Sequence, residues 1–309
     1  MTPGGLGAER PQPDDDGVRH DLARHAATTA PRPDADAWTA LAASTIGSVH
    51  VRDRRPLQDA ALTWSEGDLA VAAVADGHGH VAHFRSDTGA ALAVVSAIEV
   101  VRRGLPDLAG PALDAERASA RLFDLGAEVV ATWVAGVRQH LAVNPYRGGE
   151  VEAAAHDPLL PYGSTLVVAG AVGDRLVLLQ IGDGDAVVVT ADGHARRPLP
   201  EDPAGDGLRT SSLCQPEPLR ALRVAVVDTA AAEPGAEVVL AFLCTDGFGS
   251  SRVDAEGWWR QTGEQLVDYT RTRGIGWVAD QLGTWLEEPA LIGGDDTTLA
   301  VLVRSDLGA

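Results

Sequence analysis

The chain has 309 residues, of which 45% are hydrophobic and 22% are charged, and this balance is typical of a globular protein with a sizeable buried core. Its formal net charge of -19 at pH 7 repels phosphate backbones and anionic lipids, so we expect neither nucleic acid nor a membrane as a partner. No apolar run approaches the roughly 20 residues that cross a bilayer, and the N-terminus lacks an apolar signal core, so a cytoplasmic location is expected.

The first 40 residues are rich in Pro, Asp, Ala and Gly without apolar periodicity. We therefore expect a disordered tail over residues 1–40 and a folded domain over residues 41–309. A helix is predicted over residues 86–103, capped by Ser86 and ended by Gly104, and a second over residues 114–140.

Residues 163–197 predict three or four strands joined by tight turns at Gly173-Asp174 and Asp192-Gly193, which together suggest an antiparallel meander. Two further helices, over about 256–272 and 277–287, precede a last strand in TTLAVLVRS. Strands in two blocks and helices in two pairs favour an α+β layered sandwich. Residues 143–162 and 198–220 form long loops, and the second is expected to be a flap over a site.

Four apolar strands end in, or begin after, acidic residues: Asp76, Asp183, Asp246, and the pair Asp295 and Asp296. Each acid alone would most simply form a turn. If they converge, however, their mutual repulsion requires a cation between them, and magnesium or manganese suits carboxylates, a backbone carbonyl and water. Two such ions would hold a hydroxide and clamp a phosphate for in-line attack.

A zinc site is the rival metal hypothesis, because the stretch HGHVAH contains His78, His80 and His83. Zinc hydrolases of the metallo-beta-lactamase type place an acid where this chain has Ala82, so zinc is disfavoured. His78 is set apart by its position two residues after Asp76, where it could protonate a leaving oxygen. The two cysteines lack zinc-site spacing and are expected to be buried thiols.

Five motifs follow in order along the chain: RRPLQDA, VADGHGH, YGSTLVVAGAVGDRLVLLQIGDGDA, LCTDGFGSS and GGDDTTLAVL. With these motifs, residues 43–304 resemble the metal-dependent serine/threonine protein phosphatases of type 2C, in their bacterial branch. The resemblance implies a four-layer αββα sandwich in which two central antiparallel β-sheets are flanked by helix pairs. It also implies hydrolysis of phosphoserine and phosphothreonine in proteins by a metal-bound hydroxide, with two Mn²⁺ or Mg²⁺ ions as cofactors and a third, weaker site.

Carried over by position, the resemblance implies a set of metal ligands: Asp76 bridging both metals, Gly77 through its carbonyl, Asp246 and Asp295 on one metal, Asp59 through water, and Asp183 at the third site. Arg54 matches the arginine that clamps the phosphate, although the adjacent Arg55 is an open alternative. His78 matches the proposed general acid.

The chain departs from the family pattern at four positions. Gln58 replaces a common Glu, His80 replaces the second glycine of the Asp-Gly-His-Gly motif, and Asp185 replaces a common Arg, which adds negative charge near the third site. Asp296 stands where Asn is common and is either a helper or an exposed turn acid. None of these changes removes a core ligand, so we expect activity.

Two alternatives to an active protein phosphatase remain. The first is a catalytically silent regulatory module that binds a partner, such as a Ser/Thr kinase, through the flap or the acidic tail. The second is a phosphatase for a small phosphorylated metabolite. A cysteine phosphatase is disfavoured, because neither Cys214 nor Cys244 is followed by the five-residue loop and arginine of that class.

Overall fold

The computed structural model describes residues 37–110, 113–201, 210–251 and 257–308. Most of the tail expected over residues 1–40 lies outside these ranges. Its last residues do not: the first strand, β1, spans Trp38–Thr45 and begins inside the expected tail. Part of the expected flap, residues 202–209, also lies outside the described residues.

Ten strands form two five-stranded antiparallel sheets. The first sheet has the order β1 (Trp38–Thr45), β10 (Thr297–Arg304), β9 (Val238–Cys244), β6 (Asp185–Thr190) and β7 (Ala195–Arg196). The second sheet has the order β2 (Ala60–Glu66), β3 (Leu69–Ala75), β4 (Leu166–Val172), β5 (Arg175–Ile181) and β8 (Arg223–Asp228).

Seven helices occur in the described ranges: α1 (Ser48–Asp53), α2 (Ser86–Gly104), α3 (Ala115–Val143), α4 (Gly149–Ala153), α5 (Asp246–Ser250), α6 (Trp258–Arg273) and α7 (Ile275–Gly293). The four long helices match the four predicted ones to within three residues at each end, except that α7 continues six residues beyond its predicted end at 287. Helices α1, α4 and α5 were not predicted. No helix in these ranges is both long and apolar enough to cross a membrane.

Helix α3 begins with a side-chain cap, whereas the predicted Ser86 cap of α2 is wrong. Asp114 precedes α3 and accepts a hydrogen bond from the Arg117 backbone N–H at 2.8 Å. Helix α2 instead follows Arg85, and Ser86 is its buried first residue, whose hydroxyl accepts a hydrogen bond from the Gln58 side-chain amide at 2.6 Å.

Three apolar clusters define the layers. One lies between the two sheets, a second joins the second sheet to α2 and α3, and a third joins the first sheet to α6 and α7. Because the central strands are covered on both faces, they are apolar along their whole length, as β4 and β9 show. The predicted α+β, four-layer αββα sandwich is confirmed.

The predicted antiparallel meander over residues 163–197 is wrong. Strands β4 and β5 belong to the second sheet, whereas β6 and β7 belong to the first. Gly182, with φ of +110°, lies where the chain passes from one sheet to the other. Strands buried on both faces carry no alternation that assigns them to a sheet, so the sequence pattern missed this crossing.

Gly89 in α2 holds the helix against the loop that leads to β4. A Cβ atom at Gly89 would lie 2.0 Å from the Tyr162 carbonyl oxygen, whereas a Cβ atom at Gly283 in α7 would meet nothing within 4 Å. We expect Gly89→Ala to lower the free energy of unfolding by about 1–3 kcal/mol. Gly283→Ala should raise it by about 0.5–1 kcal/mol. Urea denaturation of both variants checks this, and equal effects at the two sites would contradict the packing described.

Candidate metal centre

Asp76 is placed at the end of β3 by hydrogen bonds of its own backbone. Its N–H donates to the Thr165 hydroxyl at 3.0 Å, and its carbonyl accepts the Thr165 N–H at 2.9 Å. Gly77 follows, and a Cβ atom there would lie 2.6 Å from the Gln58 carbonyl oxygen. Only glycine fits this approach of two backbones, which explains the Asp-Gly pair.

The register of the first sheet brings the other acids to one end. Cys244, the last residue of β9, pairs with Leu299 of β10 and with Asp185 of β6. Asp246 lies just beyond the end of β9, and Asp295 and Asp183 lie just before the starts of β10 and β6. Antiparallel pairing therefore puts these three strand-end acids on the same edge of the sandwich.

Four of the five acids predicted to bind metal share one open cavity of about 870 Å³. Its lining includes Asp76, Asp183, Asp246 and Asp295, and the carboxyl groups of Asp76 and Asp246 lie within hydrogen-bonding reach of each other. Asp59 is not on the cavity wall. It is buried beside it, where its Oδ2 accepts hydrogen bonds from the hydroxyls of Thr245 and Thr298, both at 2.7 Å.

Burial and mutual repulsion disfavour the charged form of several of these acids. Burial, together with the charges of neighbouring carboxyl groups, raises the pKa of Asp59 to about 8 and that of Asp246 to about 6. The pKa of Asp76 is raised well above its usual range, first by burial and then by the charges of the other acids. A cation among them would remove this penalty.

The donor set fits hard divalent cations. No group of three or more His, Cys, Asp or Glu side chains in the described ranges could hold a metal ion by itself. Magnesium and manganese do not require such a cage, because they keep several waters and bind through one or two carboxylates. The carboxyl groups of Asp76, Asp183, Asp246 and Asp295 on the cavity wall offer that kind of partial shell.

These pKa shifts predict how the stability of the protein depends on pH when a chelator is present. The folded-state pKa of Asp59, about 8, lies above its unfolded value near 4, so folding retains a proton that the unfolded chain releases. The free energy of unfolding should therefore fall as pH rises from about 4 to 8, by up to about 1.4 kcal/mol per pH unit for each such proton. Asp59→Asn should reduce the slope. Denaturation across this pH range is the measurement, and stability that rises with pH would contradict the prediction.

The arginine that reaches the cavity is Arg55, and Arg54 is not on its lining. Helix α1 ends at Asp53, and Arg54 takes a left-handed conformation with φ of +56°, which sends the two consecutive side chains in different directions. Arg55 donates a hydrogen bond to the Gly79 carbonyl at 2.9 Å. Of the two positions that the sequence left open, the structure brings only Arg55 to the acids.

Four histidines line the cavity, and three of them, His78, His80 and His83, come from one short stretch after β3. The rings of His78 and His83 meet edge to face, with centroids 4.9 Å apart, and His83 Nδ1 is 2.6 Å from the Leu160 carbonyl oxygen. Burial, together with the nearby His83 ring, lowers the pKa of His78 to about 4. His80 is exposed, and its Nδ1 accepts the Ala82 N–H at 3.2 Å, so it caps the turn that follows.

Two of the four departures from the family pattern have partners that explain them. Asp185 forms an ion pair with Arg197 at 3.1 Å, and Arg197 in turn lies 5.0 Å from the ring centre of Trp259. The added negative charge near Asp183 is thus offset. Gln58 uses its side-chain amide on Ser86, while its Oε1 is buried without a hydrogen-bond partner.

Asp296 is buried, and the reading of it as an exposed turn acid is wrong. Its Oδ1 accepts the Gly47 N–H at 2.8 Å, and its Oδ2 accepts the Gln58 N–H at 2.6 Å. It therefore ties the segment before α1 and the segment before β2 to the start of β10.

Two side chains on the cavity wall were not predicted from the sequence. His50 of α1 is buried and lies on the lining, and Thr210 donates its hydroxyl to Asp183 Oδ2. Thr210, Ser212 and Gln215 place the described end of the expected flap on the same wall. No periodicity marks His50, since α1 is only six residues long.

The family model described as Protein phosphatase 2C matches residues 46–287, which is more than half of the chain. The chain therefore belongs to the protein phosphatase 2C family, as the resemblance of its motifs indicated. Among curated proteins, no sequence is similar enough to count as a match.

Solved structures share the fold at low identity. The catalytic domain of the serine/threonine protein phosphatase PstP, in complex with two manganese ions, is 22% identical with a TM-score of 0.53, covering 86% of this chain and 97% of that one. A bacterial serine phosphatase is 14% identical with a TM-score of 0.52, covering 87% and 98%. A C. elegans sex determining protein is 15% identical with a TM-score of 0.53, covering 88% and 66%. At these identities the likeness establishes the fold.

Proposed function

We propose that this chain is a metal-dependent phosphatase that hydrolyses phosphoserine and phosphothreonine in proteins. The observation that carries the proposal is the meeting of Asp76, Asp183, Asp246 and Asp295 with Arg55 in one open cavity. Membership of the protein phosphatase 2C family supports phosphatase chemistry in general. The manganese in the PstP complex supports the choice of cation.

The proposed metal-holding groups are Asp76, the Gly77 carbonyl, Asp246 and Asp295, with Asp59 acting through water and Asp183 at a weaker third site. Of these, Asp76, Asp183, Asp246 and Asp295 line the cavity. Bound divalent cations supply Lewis acidity, which lowers the pKa of water and offsets the charge of a phosphoryl group. The raised pKa values of Asp59, Asp76 and Asp246 support this assignment, because a cation relieves the repulsion that causes them.

Arg55 is the proposed phosphate-binding side chain, in place of Arg54. Its bond to the Gly79 carbonyl uses one guanidinium N–H and leaves others for the charge-assisted hydrogen bonds that a phosphoryl group accepts. His78 is proposed to give a proton to the leaving serine or threonine oxygen. A nearby phosphoryl dianion favours the protonated ring that this role needs.

The loop over about 198–220 is proposed as a flap of the catalytic domain, residues 41–309. Thr210, Ser212 and Gln215 on the cavity wall support this role. An open cavity suits a phosphorylated side chain on a protein better than a small metabolite that must be enclosed. A kinase partner and a cytoplasmic location stay predictions.

The test is hydrolysis of a phosphothreonine peptide with Mn²⁺ titrated in, alongside a small phosphorylated metabolite. We expect phosphate release from the peptide that rises with Mn²⁺ and stops when a chelator is added. Faster turnover of the metabolite would indicate a metabolite phosphatase. No release at any Mn²⁺ concentration would favour the silent regulatory module.

A further inference from the structure

His50 is a buried histidine whose backbone is fixed on several sides. Only 5% of its surface is exposed. Helix α1 is attached to the loop before β10, because the Val49 N–H donates to the Gly294 carbonyl at 3.0 Å and the Gly47 N–H donates to Asp296 at 2.8 Å. The His50 carbonyl accepts the Arg55 N–H at 2.9 Å. The ring is therefore held in one place relative to Asp295.

The two ring nitrogens of His50 face different carboxyl groups. Nδ1 lies 2.9 Å from Oδ2 of the buried Asp296, within ion-pair distance but without the geometry of a regular hydrogen bond. Nε2 lies 3.9 Å from Oδ1 of Asp295, on the side of the cavity. Because Asp296 already accepts two backbone N–H groups, it acts as an acceptor, and the ring proton belongs on Nδ1. This tautomer leaves the Nε2 lone pair toward the cavity.

A histidine whose one nitrogen faces a carboxylate and whose other nitrogen is free is the usual form of a metal-binding imidazole. We propose that His50 Nε2 is a nitrogen donor to a divalent cation that it shares with Asp295. The inference rests on the proposed function only in requiring a divalent cation at this cavity. Water would supply the remaining ligands.

A nitrogen donor changes which cation the site prefers. Magnesium takes oxygen ligands almost exclusively, whereas manganese, which also binds carboxylate and water, accepts an imidazole more readily than magnesium does. The site that contains His50 should therefore prefer Mn²⁺ to Mg²⁺. The His50 side chain would thus make the site discriminate between Mn²⁺ and Mg²⁺. A site of the same charge with oxygen ligands alone would bind the two cations with more similar affinities.

Pulsed electron paramagnetic resonance of the full chain loaded with Mn²⁺ tests the donor directly. We expect a nitrogen coupling in the wild type that changes when histidine is labelled with ¹⁵N, and its loss in His50→Gln. His80→Gln is the matched control, because His80 lines the same cavity but is exposed, and it should keep the coupling. A wild-type spectrum without nitrogen coupling, or coupling that survives in folded His50→Gln, overturns the proposal.

Metal binding by calorimetry gives a second readout without substrate. His50→Gln should weaken Mn²⁺ binding by about tenfold or more and Mg²⁺ binding by less. An equal loss for both cations would overturn the nitrogen-donor role, since a purely structural histidine would weaken them alike. If His50→Gln does not fold, the other three histidines of the cavity are replaced one at a time, as His78→Gln, His80→Gln and His83→Gln. A nitrogen coupling that persists in all three variants assigns the coupling to His50 by elimination. Loss of the coupling in any one of them refutes the assignment.

The inference and the proposed function can fail separately. If the chain is inactive but shows the nitrogen coupling of His50, the proposal that His50 binds a metal stands and the proposed phosphatase function is refuted. An active chain without the coupling does the reverse.

Discussion

Asp76→Asn is expected to lower the rate of phosphopeptide hydrolysis by on the order of 10³-fold. Asparagine keeps the size of the side chain and leaves the two backbone hydrogen bonds to Thr165 in place. It removes the negative charge at the centre of the carboxyl cluster, where the cations are proposed to bind. In the presence of a chelator the variant should be more stable than the wild type, because one source of repulsion is gone.

Asp192→Asn is the matched control for this experiment. Asp192 is also an acid at a strand end followed by glycine, but it is exposed and bonded locally to the His194 N–H at 3.1 Å. Activity should stay within about twofold of the wild type, since surface changes away from special features have small effects. Equal losses in the two variants, or full activity in Asp76→Asn, would show that the cluster is not the reacting centre.

The second large effect concerns the two adjacent arginines. Arg55→Ala is expected to lower kcat/KM for a phosphothreonine peptide by about 10-fold to 100-fold, from the 1.5–3 kcal/mol of a hydrogen bond to a charged group. Arg54→Ala should change it by less than about twofold, because Arg54 is exposed and off the cavity wall. Steady-state kinetics of both variants provides the comparison.

Arg55→Lys adds a further control, because lysine keeps the charge but not the planar fork that binds phosphate through two N–H groups. Partial recovery relative to Arg55→Ala is expected. If Arg54→Ala lowers kcat/KM and Arg55→Ala does not, then Arg54, and not Arg55, faces the cavity. That result would contradict the backbone conformation described above for the residues after Asp53.

Much of the candidate metal centre could be predicted from the acidic residues at the ends of apolar strands. The acids after β3 and β9 and before β10 were recognisable as charges next to buried strands, and antiparallel pairing then forces Asp246 and Asp295 to one edge. The assignment of the strands to the two sheets could not be predicted from the sequence. Strands buried on both faces look alike, so the passage of the chain between sheets at Gly182 left no periodic signal.

The details around α1 could not be read from the sequence. A single residue with positive φ decides which of two consecutive arginines faces the cavity, and such a reversal at a non-glycine residue has no compositional mark. The same holds for His50, whose importance depends on Asp295 and Asp296 more than 200 positions away along the chain. Contacts of this kind exist only in the folded protein.

The central claim is that the carboxyl groups at this edge hold divalent cations that act in phosphate ester hydrolysis. Equilibrium Mn²⁺ binding, measured on the same preparation as phosphopeptide hydrolysis, tests it most directly. Two ions should bind per chain before any weaker third one, and hydrolysis should rise with their occupancy in the wild type and stay absent in Asp76→Asn. Hydrolysis that continues after all Mn²⁺ has been stripped, or a chain that binds none, would contradict the account.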